Sequence, residues 1–146
     1  MQKGMLLSRM LLISTTAHEG QYDKGGQPYI LHPLKVMYYL KSEDEELQCI
    51  ARGHDLFEDT NIDRNYLEKD GFSERVICGI ECLTKRKNEP MAEYKKRVFA
   101  NPDAIRVKMA DLRHNSDIRR LKGITEKDFD RMQKYHEFYL ELKDRL

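Results

Sequence analysis

The chain has 146 residues, enough for one domain with a hydrophobic core of its own. Lysine and arginine number 26 and aspartate and glutamate 25, and the resulting net charge of +1 argues against a nucleic-acid binder and an acidic disordered tail. Only four prolines and eight glycines interrupt the sequence, which favours helices. The three cysteines have no disulfide spacing and no apolar run has membrane length, so we expect a cytoplasmic protein without a membrane partner.

Apolar residues recur at helical spacing along most of the chain. Helices are predicted over residues 4–18, 32–41, 44–57, 64–69, 73–83, 90–99, 102–116 and 126–146. A loop with Gly20, Gly25, Gly26 and Pro28 separates the first two helices. The sequence contains no alternating strand pattern, repeat or low-complexity linker. It therefore predicts an all-α fold, with residues 1–146 forming one compact domain of about six to eight helices.

The densest group of ionisable side chains begins at His54. The stretch reads His-Asp-Leu-Phe-Glu-Asp-Thr. If it continues the third helix, His54 lies over Glu58 and Asp55 over Asp59, because residues four apart share a face. An adjacent histidine and aspartate can bind one divalent cation, and the two acids a turn later can act on a water molecule. We interpret this stretch as the centre of a metal-assisted hydrolase.

Two other parts of the chain can complete such a metal site. Lys108, Asp111 and Asn115 follow one another at i, i+3 and i+7 in the predicted helix 102–116, so they share one face. Polar residues on a helix face are ordinarily solvated, but the incomplete site at His54 offers Asp111 a partner. His32, at the start of the second helix, is the natural fourth candidate, although a single histidine is more often structural.

These motifs together resemble the HD-domain hydrolases of the RelA/SpoT group. The resemblance lies in His32-Pro33, His54-Asp55-x-x-Glu58-Asp59-Thr60, Lys108-Met109-Ala110-Asp111-x-x-x-Asn115 and the loop Asp23-Lys24-Gly25-Gly26-Gln27-Pro28-Tyr29-Ile30. A His-Asp pair alone is weak evidence, whereas four motifs in this order extend over nearly the whole chain. The group degrades the alarmones ppGpp and pppGpp by removing their 3′-pyrophosphate, with manganese as the cofactor. The resemblance therefore implies a small stand-alone alarmone hydrolase of the stringent response, without a synthetase domain.

The resemblance also implies roles for individual residues. The resemblance implies that manganese is bound by His32, His54, Asp55 and Asp111. The same types of ligand also bind iron, cobalt or zinc. Glu58 and Asp59 are implied as the catalytic acids beside the water at the metal. Lys24 and Asn115 match contacts to the nucleotide substrate. Tyr29 is either such a contact or a packing residue of the loop.

Two departures from the group's pattern concern the substrate. Asp23 stands where the group commonly has an arginine that stacks on guanine, and an acid cannot make that contact and would repel phosphate. The group's Asp-Arg-Leu-His-Asn order is replaced by Asp111-Leu112-Arg113-His114-Asn115. The substrate therefore stays open between a guanosine alarmone, ppApp, a nucleotide 3′-phosphate and a phosphorylated nicotinamide cofactor. A nucleotide-binding module without turnover is a further alternative, which the paired acids Glu58 and Asp59 argue against.

Three further features of the sequence can each be interpreted in two ways. The basic run Lys85-Arg86-Lys87 either contacts the distal phosphates or is a solvated loop. Tyr38 and Tyr39, with the tyrosines of the last helix, either pack in the core or line a contact between subunits, so an oligomer is compatible with the sequence. Cys78 and Cys82 lie four apart in a predicted helix, and we interpret them as buried thiols rather than metal ligands.

Overall fold

The computed structural model describes residues 2–146, which form nine α-helices and one 3₁₀-helix (Ile118–Arg120). The α-helices are α1 (Met5–Ala17), α2 (Leu31–Leu40), α3 (Glu45–Gly53), α4 (Leu56–Asp59), α5 (Arg64–Lys69), α6 (Glu74–Cys82), α7 (Met91–Phe99), α8 (Pro102–Asn115) and α9 (Glu126–Lys143). Within these residues β structure is limited to one isolated bridge between Tyr22 and Pro28. The prediction of an all-α fold is confirmed. No helix of the described part combines the length and apolar character needed to span a membrane.

Polar caps set the start of many of the helices. Asp44, Ser73 and Asn101 each accept a hydrogen bond from the backbone N–H three residues further on. Thr125 and Asp128 form a reciprocal capping box at the start of α9. Each cap satisfies an N–H group that has no partner within its helix and stabilises the helix by about 1 kcal/mol. These local signals explain why most helix boundaries agree with the sequence prediction.

Helices α3 and α8 form the centre of the bundle. Helix α3 packs against α1, α2, α6 and α8, while α8 also contacts α2, α7 and α9. Both contribute fully buried apolar side chains, among them Leu47, Ile50 and Val107. His54 directly follows α3, and Asp111 lies within α8. The candidate ligands are therefore held by the best-packed part of the molecule.

The predicted C-terminal boundary of the third helix, at residue 57, is wrong. Helix α3 ends at Gly53, and a turn at His54 and Asp55 precedes the short helix α4. A Cβ at position 53 would lie 2.8 Å from Met10 Sδ, so a larger residue there would displace the side chain of Met10. The backbone N–H of Asp59 still donates to Asp55 O at 3.0 Å. His54 thus belongs to the end of α3 and does not share one continuous helix with the acids of α4.

The helical spacing of the last helix predicts one apolar stripe, and this prediction is partly wrong. The predicted residues are Phe129, Met132, Tyr135, Tyr139 and Leu142. Phe129 is 61% exposed, whereas Phe138, which the prediction left out, is 5% exposed and packs in the core. The capping box buries the side chain of Asp128 in the first turn of α9, and the neighbouring Phe129 faces solvent. Of the two adjacent tyrosines, Tyr38 is exposed and Tyr39 packs against the core.

Cys78 and Cys82 are not the buried pair that the sequence suggested. Cys78 is exposed and Cys82 is half-buried. Helix α6 instead turns Val76, Ile77 and Ile80 toward the core. Both thiols therefore lie on the more polar side of α6.

Candidate metal centre and its two cavities

The four predicted ligands meet where α2, α3 and α8 come together. His32 Nε2 lies 2.8 Å from Asp111 Oδ1 and 3.8 Å from Asp55 Oδ2. His54 Nε2 lies 3.0 Å from Asp55 Oδ2 and 3.3 Å from Asp111 Oδ1. Neighbouring ligands of an octahedral ion with bonds of about 2.1 Å lie roughly 3 Å apart. We call these four residues the metal-ligand cluster, because their spacing suits donors to one ion.

The hydrogen bonds of His54 test whether a metal fits this cluster. Its Nδ1 donates to Ala51 O at 2.7 Å, which leaves a lone pair on Nε2. That Nε2 atom is buried and makes no hydrogen bond within residues 2–146. A buried polar atom without a partner is unfavourable, and a cation would supply the partner. Because two imidazoles and two carboxylates also suit a divalent first-row metal, the residues present fit such an ion.

Asp111 is surrounded by groups that stabilise its negative charge. Its Oδ2 accepts a hydrogen bond from Lys108 Nζ at 2.9 Å, and its Oδ1 accepts one from Asn115 Nδ2 at 3.1 Å. Burial alone would raise the pKa of Asp111, but Lys108 and the two imidazoles hold it well below its usual value. The carboxylate is therefore ionised at neutral pH, as metal binding requires.

Tyr29 orients the second carboxylate of the cluster. Its hydroxyl donates a hydrogen bond to Asp55 Oδ2. Burial and the neighbouring charge of Asp55 raise the pKa of Tyr29, so the hydroxyl keeps its proton. Burial opposes ionisation of Asp55 as well, yet without a metal the protonated form of His54 lowers the pKa of Asp55 to about 2, and a cation bound to the neutral imidazole would act in the same direction. Tyr29 thus contacts the metal-ligand cluster itself, a position that the sequence did not indicate.

Glu58 and Asp59 lie beside Asp55 on the solvent side of the cluster. One carboxylate oxygen from each of the three residues lies within 4.8 Å of the other two. Partial burial, followed by the charge of Asp55, raises the pKa of both Glu58 and Asp59. Glu58 also accepts a hydrogen bond from the backbone N–H of Lys85. Acids with raised pKa values beside an ionised carboxylate are suited to exchange a proton.

Cavities open on two sides of the metal-ligand cluster. The larger, about 310 Å³, we call the loop cavity; its lining includes Asp23, Lys24, Tyr29, Asn115, Arg120 and Tyr135. The smaller, about 150 Å³, we call the lysine cavity; its lining includes His54, Asp55, Glu58, Lys85, Lys108 and Asp111. Tyr29 and Asn115 line the loop cavity and hydrogen-bond ligands that line the lysine cavity. Ligands of the cluster therefore line the lysine cavity themselves, and the loop cavity is connected to them through Tyr29 and Asn115.

Asp23 is paired with a guanidinium in the loop cavity. Asp23 Oδ2 accepts a hydrogen bond from Arg120 Nη2 at 3.3 Å, and Arg120 Nη1 donates to Asn115 Oδ1 at 3.2 Å. A Cβ at Gly25 would lie 2.1 Å from Arg120 O, so the loop can lie this close only because residue 25 has no side chain. The expectation that Asp23 repels phosphate loses its basis, because Arg120 offsets that negative charge.

Three other predicted residues border these spaces. Lys24 is exposed and lines the loop cavity. Asn115 lines the same cavity while it donates to Asp111. Lys85, the first residue of the basic run Lys85-Arg86-Lys87, is exposed and lines the lysine cavity.

Sequence reasoning did not assign a role to Arg120 or His114. His32 Nδ1 lies 2.7 Å from His114 Nδ1, a contact between residues 82 positions apart. Burial, followed by the charge of Arg120, lowers the pKa of His114 to about 4, so its ring is neutral at neutral pH. The one available signal was that His114 lies three residues after Asp111 and therefore on a neighbouring part of the same helix.

Comparison with known proteins gives one consistent set of relatives, although no protein-family model matches the chain. The guanosine-3′,5′-bis(diphosphate) 3′-pyrophosphohydrolase of Borreliella burgdorferi is 32% identical over 120 residues, covering 73% of this chain and 18% of that protein. The corresponding enzyme of Aquifex aeolicus is 38% identical over 105 residues, covering 64% and 15%. The bifunctional (p)ppGpp synthase/hydrolase SpoT of Escherichia coli is 34% identical over 122 residues, covering 75% and 17%. The chain thus spans less than a fifth of the length of these relatives.

The fold has a counterpart among solved structures. A metazoan ortholog of SpoT, described as hydrolysing ppGpp, superposes with a TM-score of 0.78 and covers 97% of this chain and 87% of its own. The two sequences are 22% identical, so this match supports the helical fold and no more.

Proposed function

Because the chain belongs to the RelA/SpoT group of HD-domain proteins, we propose that it is a metal-dependent hydrolase of guanosine alarmones. It would remove the 3′-pyrophosphate of ppGpp or pppGpp and leave GDP or GTP. Residues 1–146 would act as one phosphohydrolase domain on a small nucleotide, in the cytoplasm. The observation that carries this proposal is the convergence of two imidazoles and two carboxylates between two cavities, with two further acids alongside.

We assign the metal to His32, His54, Asp55 and Asp111, and propose manganese as the ion. A divalent ion bound there would supply Lewis acidity and lower the pKa of a bound water from 15.7 to about 7. The chain's own part is to keep both carboxylates ionised, through Lys108 beside Asp111 and Tyr29 beside Asp55.

Glu58 and Asp59 are proposed to handle the proton of the attacking water. Both carboxylates stand beside Asp55 and face solvent, and both have raised pKa values. One of the two accepts the proton as the water attacks phosphorus, and the other holds that water in line. The backbone N–H of Lys85 fixes Glu58 in this position.

Different parts of the substrate are proposed to bind in the two cavities. Lys108 and Lys85 line the lysine cavity, where their positive charges would stabilise the departing pyrophosphate. The loop cavity has twice the volume and carries Lys24, Asn115 and Arg120, which can bind a sugar, a phosphate or a base edge. A nucleoside in the loop cavity places its 3′ side toward the metal-ligand cluster.

Asp23 is the observation that favours a second candidate substrate. A carboxylate can accept hydrogen bonds from the exocyclic amine of adenine as well as from guanine, so ppApp is the competitor to test. Arg120 supplies a guanidinium to the same cavity from another part of the chain, which supports guanosine as the first choice.

The test is manganese-dependent hydrolysis of ppGpp and of ppApp, with phosphate and pyrophosphate measured separately. Wild type is expected to release pyrophosphate, and ppGpp is expected to be the better substrate. The control is a Glu58→Gln, Asp59→Asn double variant, in which we expect turnover to fall by about 10²- to 10⁴-fold while the protein still binds manganese. Release of monophosphate alone would reject the proposed reaction. Turnover by wild type no faster than by the double variant would favour a nucleotide-binding module.

A further inference from the structure

His32 has a hydrogen-bond partner at each ring nitrogen. Its Nε2 is 2.8 Å from Asp111 Oδ1, and its Nδ1 is 2.7 Å from His114 Nδ1. A neutral imidazole has a single proton for these two directions. If the proton is on Nε2, it points at Asp111 and Nε2 cannot bind a metal. If it is on Nδ1, it points at His114 and the Nε2 lone pair faces the other three ligands.

The geometry of the two rings is that of an in-plane hydrogen bond. The ring planes of His32 and His114 are inclined by 16°, and their centroids are 5.0 Å apart. Rings stacked face to face keep their atoms about 3.5 Å apart, which is longer than the 2.7 Å between these nitrogens. The rings therefore lie side by side in nearly one plane, with the Nδ1 proton of one directed at the Nδ1 lone pair of the other.

His114 is held in place beside His32. It lies in the last turn of α8 and is 9% exposed. Its ring packs edge-on against the ring of Tyr39, with the two ring centroids 6.1 Å apart. Its carbonyl oxygen accepts a hydrogen bond from Arg120. These contacts limit rotation of the imidazole away from His32.

The two histidine ligands are thus held in different ways. A backbone carbonyl, Ala51 O, accepts the Nδ1 proton of His54, and no substitution can remove that acceptor. A side chain performs the same task for His32. Partners of this kind orient metal-binding histidines and fix their tautomer.

We propose that His114 is a positioning residue that holds the proton of His32 on Nδ1 and so keeps Nε2 available to the metal. This inference depends on the metal centre of the proposed function, but not on the identity of the substrate. Without the acceptor at position 114, the His32 proton would move to Nε2 and be shared with Asp111, and metal binding would have to displace it.

The test compares variants that differ in one acceptor atom. His114→Asn places an amide oxygen near the position of Nδ1, whereas His114→Leu has similar bulk and no acceptor. Manganese affinity is measured by titration, with the paramagnetic resonance signal of the free ion as the readout. We expect the leucine variant to bind manganese about 10- to 100-fold more weakly and the asparagine variant to stay close to wild type. His114→Ala is a second variant without an acceptor, in case leucine disturbs folding.

Melting of each protein in excess chelator reports on folding alone. Weaker binding in the leucine or alanine variant, recovered by asparagine, supports the inference. Equal affinity in all variants overturns it, and so does equal weakening in asparagine and leucine variants whose metal-free proteins melt alike. If wild type binds no manganese, the metal centre and the inference fail together. If the expected pattern of affinities is found without hydrolysis of ppGpp, the inference stands and the proposed substrate is rejected.

Discussion

The metal-ligand cluster is formed by side chains on or next to three packed helices, whereas the loop cavity beside it is formed by a glycine-rich loop, the segment after α8 and the first turns of α9. In the cluster, His32, His54 and Asp111 are at most 5% exposed, and each carboxylate accepts a hydrogen bond from a half-buried donor, Tyr29 or Lys108. In the loop cavity, Asp23 and Arg120 pair at 15% and 22% exposure. Loss of one partner of a buried pair leaves an uncompensated charge, while a partly solvated pair can be changed at little expense of stability. Reaction chemistry and base preference can therefore vary separately.

The largest effect is expected from the centre of the metal-ligand cluster. Asp111→Asn keeps the shape of the side chain but removes its charge, so it weakens metal binding and leaves the half-buried Lys108 without its carboxylate partner. We expect kcat/KM for ppGpp to fall by more than about 100-fold. The matched control is Asp103→Asn, the same change on the same helix in a side chain that pairs with Arg75 near the surface. Similar losses in both variants would contradict the distinction.

Manganese is expected to stabilise the folded protein. The clustered carboxylates repel one another when no cation lies between them, so the metal-free protein should be less stable. At a free concentration of 100 times Kd, a ligand that binds only the folded state adds about 2.7 kcal/mol. For a chain of this size, that corresponds to a rise in Tm of roughly 5–10 °C. Thermal melts after removal of metal, with and without manganese, check this value, and His54→Ala should abolish the rise.

A smaller effect is expected in the loop cavity. Arg120→Met removes the guanidinium that faces Asp23 and Asn115 but leaves the metal-ligand cluster unchanged. We expect KM for ppGpp to rise by about fivefold, the size of one lost cationic contact, with kcat nearly unchanged. The neighbouring Arg119, at 85% exposure, provides the control variant Arg119→Met. A fall in kcat with unchanged KM would place Arg120 in the reaction rather than in substrate binding.

The smallest effect concerns stability and pH. Burial would raise the pKa of Asp23, but the backbone N–H of Gln27 and the side chain of Arg120 lower it below the usual 3.8. A lowered pKa in the folded state stabilises the protein above 3.8, and that contribution is lost as the pH falls through the lowered value. Asp23→Asn should therefore reduce the free energy of unfolding by less than about 1 kcal/mol at pH 7. Denaturant unfolding at a series of pH values should show the difference disappear in acid.

Local signals account for most of what could be predicted from the sequence. The caps at Asp44, Ser73 and Asn101 lie within three residues of the groups they satisfy, so helix boundaries follow from short stretches of sequence. Gly53, before the turn, packs against Met10 of another helix, and nothing near Gly53 in the sequence indicates that contact.

The composition of the site was predictable only in part. Helical spacing and the helix start made Asp111 and His32 candidates to complete the site at His54, and the resemblance to a known group implied all of them as ligands. The pairing of His32 with His114 and of Asp23 with Arg120 joins residues 82 and 97 positions apart. Such contacts arise from packing of the folded chain, and residue type and helical period do not predict them.

Gly25 has a consequence for how such a site can change during evolution. Its backbone lies against Arg120 O so closely that a Cβ would be 2.1 Å from that oxygen, and this contact sets the distance between the two walls of the loop cavity. The width of the cavity therefore depends on the main chain, while its side chains are free to differ. A lineage could exchange the residues at positions 23 and 120 and acquire a new base preference in few mutational steps. Position 25 itself has no comparable freedom.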